Sequence, residues 1–139
     1  MVFGSVGRMK IRKAKIGDLE NIKRIDKISL KANHSLDYLK KNLNNMIVAI
    51  EGQKILGYFM FKSELAMNLV VHPDHRGKGI GKMLIKKGMK KSKRFISRTR
   101  EDNVDALEFL KRLGFKYKRR IKNYYKNGDN AIEMEWRKT

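Results

Sequence analysis

Cysteine is absent from the 139-residue chain, which excludes disulfide frameworks, thiolate nucleophiles and cysteine-based zinc sites. Proline occurs once, at Pro73, and no low-complexity linker or internal repeat breaks the pattern. Apolar runs fall well short of the roughly 18 residues a membrane helix needs, so no membrane partner is expected. The opening segment from Met1 to Arg8 lacks the apolar stretch of a signal peptide, and a cytoplasmic protein is expected. Acidic residues are scarce: 14 Asp and Glu stand against 34 Lys and Arg, a formal charge of +20. Hydrophobic residues still make up 41% of the chain, too many for wholesale disorder. A chain of this mass buries about two thirds of its surface on folding, enough for a real core in one domain. The reading is a short tail over residues 1–8 and one domain over 9–139.

The charge speaks about partners rather than fold. Nucleic acid, ribosomes, anionic cofactors and acidic protein surfaces would all be attracted; solvated lysines of a Lys-rich composition are the plain alternative. Lys82, Lys86 and Lys90 stand at i, i+4 spacing, as do Lys87 and Lys91. Each such like-charge pair on a helix costs a few tenths of a kcal/mol, relieved if an anion binds nearby. A second basic cluster, Lys116, Lys118, Arg119, Arg120 and Lys122, would place Lys116, Lys118, Arg120 and Lys122 on one face of a regular strand.

Met9–Lys15 alternates as a first strand. Gly17 and Asp18 supply a turn and helix N-cap, and Leu19, Ile22, Ile25 and Ile28 form one side of a helix ending near Asn33. Ser35 can cap a second helix carrying Leu36, Leu39 and Leu43. Met46–Ile50 and Lys54–Lys62 read as a hairpin across Glu51, Gly52 and Gln53. Ala66–Val71 is a near-continuous apolar strand, the pattern of one buried on both faces. A helix over Gly79–Ser92 would turn Met83, Leu84, Ile85 and Met89 inward. The strand Phe95–Thr99 follows, then a helix opened by Asn103 and stopped by Gly114. Phe115–Ile121 and Ala131–Trp136 are the last strands, with the turn-rich stretch Lys126–Asn130 between them, and Trp136 reads as core or hairpin packing. The order is β-α-α-β-β-β-α-β-α-β-β, an α/β protein with a mixed sheet.

The sharpest local signal is the segment from Val70 to Lys82, with Gly77, Gly79 and Gly81 alternating after a strand and before a helix. Glycines let backbone N–H groups converge, and a helix N-terminus adds donors and the positive end of a dipole. Together they make a seat for a phosphate or diphosphate, with Arg76, Lys78 and Lys82 around it. The P-loop string is absent, and so is the spacing of the dinucleotide fingerprint. His72 and His75 across the proline turn lack a third ligand, so no metal is expected.

Arg76-Gly77-Lys78-Gly79-Ile80-Gly81 resembles the R/Q-x-x-G-x-G/A motif of the GNAT acyl-CoA-dependent N-acetyltransferases. The stretch Asn103 to Phe115 is similar to that family's N-x-x-A-x-x-F/L-Y-x-x-x-G-F helix. Lys122-Asn123-Tyr124-Tyr125 with Asp129, Ala131 and Met134 is similar to the ending of RimI-like protein N-terminal acetyltransferases. The resemblance runs from Met9 to Trp136. It implies a mostly antiparallel central sheet flanked by helices, whose fourth and fifth strands splay into a slot. It implies acetyl-CoA as acyl donor, with Arg76, Gly77, Lys78, Gly79, Ile80, Gly81 and Lys82 around the diphosphate. Leu69, Val70 and Val71 would offer backbone groups to the pantetheine arm, and Asn103 would touch the cofactor, cap its helix, or both. Tyr124 and Tyr125 would contact a peptide N-terminus; a strand aromatic pair is the structural alternative.

Acetyl transfer to an amine requires a neutral amine, a lone pair in line with the thioester carbonyl, and stabilisation of the oxyanion and thiolate. The resemblance places a base at Arg98 and a tyrosine acid at Leu110, and neither side chain can serve. Tyr124, Tyr125, Glu64, His72 and Glu101 are the substitutes to test, Tyr124 first. Positioning with water as proton acceptor is a further route, and a protein that binds acyl-CoA without efficient transfer is another. The leading expectation is an enzyme that moves acetyl from acetyl-CoA to a primary amine, a protein or peptide N-terminus, by direct attack in a ternary complex. The rival is a basic RNA- or ribosome-associated module on the same fold, and a hybrid would acetylate an RNA-linked amine.

Overall fold

A computed structural model describes residues 8–29 and 33–139; most of the tail lies outside that range, and the first helix, expected to end near Asn33, ends at Ile28, where Ser29 turns extended. Seven strands form one sheet: β1 (Lys10–Lys13), β2 (Met46–Glu51), β3 (Lys54–Lys62), β4 (Leu65–Val71), β5 (Arg94–Arg100), β6 (Lys116–Ile121) and β7 (Ala131–Arg137). Four helices connect them: α1 (Leu19–Ile28), α2 (Leu36–Lys41), α3 (Ile80–Met89) and α4 (Val104–Arg112). This is the element order read from the sequence. The strands run β1-β2-β3-β4-β5-β7-β6, antiparallel except for β4 beside β5.

The sheet separates two apolar clusters. On one face Ile22 and Ile25 of α1 and Leu39 of α2 close over Val48, Tyr58, Met60 and Val70. On the other, Ile80, Leu84, Ile85 and Met89 of α3 and Leu110 of α4 pack on Phe59, Phe95 and Met134. Gly88 lets α3 lie close on β3, because a Cβ there would stand 2.5 Å from the Phe59 ring. Ser35 caps α2 through Tyr38 N–H at 3.1 Å, and Asn103 caps α4 through Ala106 N–H at 3.3 Å, as their spacing predicts.

Four further expectations change. Met83 is exposed, and Ile80 takes the inward position instead, because α3 begins at Ile80 and its buried stripe starts there. The Asp18 carboxylate does not cap α1; it accepts from Arg12 at 2.7 and 2.9 Å and from Lys15 N–H at 2.9 Å. On β4 only Val70 is buried, since pairing with β5 is confined to Leu65 opposite Ile96 and Ala66 opposite Ser97. Regular alternation fails on β6, where a bulge between Tyr117 and Arg119 resets the faces. Lys118 reaches Glu135 at 3.5 Å and Arg119 reaches Glu133 at 3.2 Å, so the four expected cations do not form one row.

Candidate active site

The opening between β4 and β5 is set by backbone geometry. Beyond Ala66 the two strands part, leaving one edge of β4 without a ladder partner. The hydrogen bond from His72 N–H to Leu56 C=O, at 2.8 Å, fixes the phase of the β3–β4 ladder. Alternate residues, Val70 among them, therefore bond β3, and Leu69 and Val71 turn their N–H and C=O groups into the opening. A second irregularity lies deeper: β4 carries one extra residue, Met67, between Asn68 opposite Met60 and Ala66 opposite Phe61. Met67 packs with the α1–α2 cluster while Ala66 and Leu69 pack with the α3–α4 cluster. Asn68 shares the α1–α2 side with Val70 by regular alternation, and the extra residue puts Met67 on that side too and Ala66 on the other.

The glycine loop closes the wide end of this opening. A short 3-10 turn, Pro73–His75, is capped by His72 Nδ1, which accepts from Asp74 N–H at 3.1 Å. Gly77 and Gly79 follow at φ +81° and +79°, left-handed values that side chains with a Cβ resist. Among the described residues no acceptor takes the backbone N–H groups of Gly77 through Lys82. No side chain caps α3 at Gly79, so its first turn keeps its free donors and positive dipole end. Lys78 and Lys82 are exposed there, Arg76 Nε reaches Val71 C=O at 3.4 Å, and Lys78 Nζ lies 3.2 Å from His75 Nδ1. The Ile80 side chain is buried in the core, leaving its N–H as the group available to a ligand. Asn103, at the start of α4, gives its Oδ1 to Ala106 N–H. A run of orphaned amides among cations fits a diphosphate.

On the α1–α2 face of the sheet, the β5–β7 half carries charge. Arg98 Nε donates to Glu133 Oε1 at 2.9 Å, and Arg119 Nε donates to Oε2 of the same carboxylate at 3.2 Å. Glu133 is buried, and its pKa lies below the ordinary carboxylate range because Arg119 and then Arg98 hydrogen-bond it against the cost of burial. Glu135 gathers Arg94, Lys118 and Arg137. The β6–β7 connection brings Tyr124 and Tyr125 over this surface, their rings edge to face at 5.0 Å. The Arg98 guanidinium lies 5.8 Å from the Tyr124 ring centre, and Arg100 lies 4.0 Å from that of Tyr125. The Tyr125 hydroxyl donates to Arg98 C=O at 3.4 Å. Burial raises the Tyr125 pKa, outweighing Arg100.

Two of the remaining candidates are tied up elsewhere: Glu101 pairs with Arg120 and His72 caps its own turn. Glu64 is exposed on the β3–β4 turn, at the closed end of the opening, where its carbonyl accepts from Ile96 N–H. Leu110 belongs to the core. Sequence reasoning missed Glu133, although Ile132, Met134 and Trp136 alternate with Glu133 and Glu135. It also missed Asp26, fully buried on α1 and bonded to the Tyr58 hydroxyl and to His34. Among the described residues no group of three or more His, Asp or Glu is arranged to share a metal ion.

Residues 42–117 match the family model for the acetyltransferase (GNAT) domain. An N-alpha-acetyltransferase of Sulfurisphaera tokodaii is 25% identical, across 90% of this chain and 90% of its own length. The ribosomal-protein-S18-alanine N-acetyltransferase of Escherichia coli superposes with a TM-score of 0.80 at 20% identity, over 93% of each chain. NAA60 of Arabidopsis thaliana, solved in complex with acetyl-CoA, gives a TM-score of 0.82 at 16% identity, over 93% of this chain and 99% of that one. The likeness spreads over several N-acetyltransferase subfamilies and is not specific to the RimI-like branch. With more than half of its length in the family model, and with the split sheet and glycine loop in place, the chain belongs to the GNAT acetyltransferase family.

Proposed function

We propose that this protein moves an acetyl group from acetyl-CoA to the primary amine of a protein or peptide N-terminus, by direct attack in a ternary complex. The observation that carries the reading is the run of unpartnered N–H groups from Gly77 to Lys82, at the end of a strand whose edge is free. The diphosphate is seated on those amides, with Arg76, Lys78 and Lys82 supplying charge. The pantetheine arm lies along Leu69 and Val71 as one more strand, and Asn103 offers its amide nitrogen from the start of α4. The thioester then reaches the neighbourhood of Asn68, where β4 and β5 part. The acceptor approaches from the α1–α2 face, between that face and the β6–β7 connection.

A peptide acceptor is favoured by Tyr124 and Tyr125, whose rings are held by Arg98 and Arg100, and by the N-alpha-acetyltransferase relatives. Phenols on such a surface hydrogen-bond a peptide backbone while their rings pack on it. The Tyr124 hydroxyl is the candidate proton donor to the departing sulfur. The formal charge of +20 disfavours polyamines, which long-range repulsion holds off, and favours acidic peptides. The test is thiol release from acetyl-CoA with a library of N-terminal peptides and with polyamines, at low and physiological salt. Turnover is expected with peptides, strongest for acidic ones and weakening with salt. Turnover with polyamines alone would overturn the acceptor assignment.

A further inference from the structure

We propose that His34 is the base that takes the proton from the acceptor ammonium, held by Asp26 and lying against Asn68 of β4 beside the β4–β5 opening. The proposal rests on the acetyltransferase reading above. Asp26 is fully buried on α1. One of its oxygens accepts from the Tyr58 hydroxyl and the other from His34 N–H. The imidazole Nδ1 stands 3.2 and 3.3 Å from the two oxygens. Burial works to raise the Asp26 pKa, but bonds from His34 and Tyr58 hold it below the usual range, so the carboxylate is charged. A charged carboxylate at Nδ1 fixes the proton there and leaves the lone pair on Nε2. Asn68 Nδ2 lies across the ring, 3.1 Å from Nε2 and 3.2 Å from Nδ1.

Three observations separate this from a simple staple for the α1–α2 connection. The Tyr58 hydroxyl and the His34 backbone N–H each donate to Asp26, so the α1–α2 connection is tied to it without the imidazole. The ring is stacked on Tyr38 at 4.9 Å and keeps 27% of its side-chain surface exposed, so solvent and substrate reach it. Asn68 immediately precedes Leu69, whose backbone groups face the opening. Arg98, at the position where the family resemblance expects a base, is committed to Glu133. The titratable and charged groups around His34 are Asp26 and Lys23 from α1, Tyr58 from β3 and Tyr38 from α2, with neutral Asn68 from β4. Lys23 donates to the His34 carbonyl.

In the step, an ammonium N–H proton passes to Nε2 and then to solvent. The freed lone pair forms the C–N bond at the thioester carbonyl. As the carbonyl re-forms, the C–S bond breaks with its electron pair on sulfur, and sulfur gains the second proton shed by nitrogen. One proton is released overall, and no oxidant or metal is needed.

The experiment measures thiol release against pH for wild type, His34→Gln and Asp26→Asn, with the CoA-induced rise in melting temperature as an independent readout. General bases contribute about 100-fold or more, so His34→Gln should lower kcat at neutral pH by at least about that factor. The deficit should narrow above about pH 8, where α-amines deprotonate unaided. Asp26→Asn, close in shape, removes the charge that holds the proton at Nδ1 and should alter the acidic limb of the profile. Both variants should keep the CoA-induced shift. Wild-type kcat and an unmoved acidic limb in His34→Gln would overturn the base. If His34→Gln fails to fold, an unmoved limb in Asp26→Asn overturns it equally. Absence of turnover by the wild type with any amine, despite a CoA shift, would instead overturn the acetyltransferase reading, and the base with it.

Discussion

On the side of the β4–β5 opening assigned to the acyl donor, the polar groups are chiefly the backbone N–H groups of consecutive residues from Gly77 to Lys82, with Arg76, Lys78 and Lys82 around them. On the acceptor side each polar group comes from a different element: His34 from the α1–α2 connection, Asn68 from β4, Arg98 from β5, Glu133 from β7 and Tyr124 from the β6–β7 connection. The donor side is a local object. Its geometry follows from glycines in left-handed conformation and a helix start, so few side chains matter. The acceptor side exists only once the sheet is assembled. Its polar groups are held by partners far along the chain, such as Asp26 by the Tyr58 hydroxyl and Arg98 by Glu133. A donor seat made of backbone can stay constant while the acceptor side varies residue by residue.

The largest expected effect falls on the donor side. Gly79→Asp sets a carboxylate where the diphosphate would lie, and nothing within 4 Å obstructs its Cβ. CoA affinity should drop by roughly 100-fold, about 2.7 kcal/mol, as read by calorimetric titration. Gly79→Ala carries the same backbone strain without the charge and should retain measurable binding. Equal losses in the two variants would make the loop a matter of shape alone.

A smaller effect tests the acceptor side. Glu133→Gln leaves Arg98 and Arg119 without their shared carboxylate, and about 1–3 kcal/mol of stability should be lost, measured as a lower urea midpoint. The native pKa of Glu133 lies below its unfolded value, as do those of Asp18, held mainly by Arg12, and Asp26. Between those values the unfolded chain binds more protons. The stabilisation is therefore complete above the ordinary carboxylate range, near pH 4–5, and is lost as pH falls through the native values. Wild-type stability should be flat near neutrality and decline on acidification, with a shallower decline in Glu133→Gln. An unchanged acid slope in the variant would remove Glu133 from the account.

The same contrast explains what was legible from residues alone. Turns, caps and the glycine loop are written in neighbouring residues, so β3 from Lys54 to Lys62, the Ser35 and Asn103 caps and the loop itself stand where they were expected. Bulges depend on the partner strand. The extra residue Met67 therefore resets the faces of Met67 and Ala66, and Lys118 breaks the basic row on β6, with no local warning in either case. The splay of β4 from β5 leaves an apolar strand half-covered, which composition reads as buried. His34 and Asp26 carried no motif, because their meaning lies in Tyr58 and Asn68, more than twenty residues away.

The central claim is that the amides of Gly77 to Lys82 hold a diphosphate. Its most direct test compares the melting-temperature rise given by CoA with that given by S-acetylpantetheine, which lacks the diphosphate, at equal concentration. A ligand that binds the folded state must raise the melting temperature, by an amount that grows with the logarithm of its affinity. A clear rise with CoA and almost none with the truncated carrier is the predicted result. Equal rises with both would contradict it.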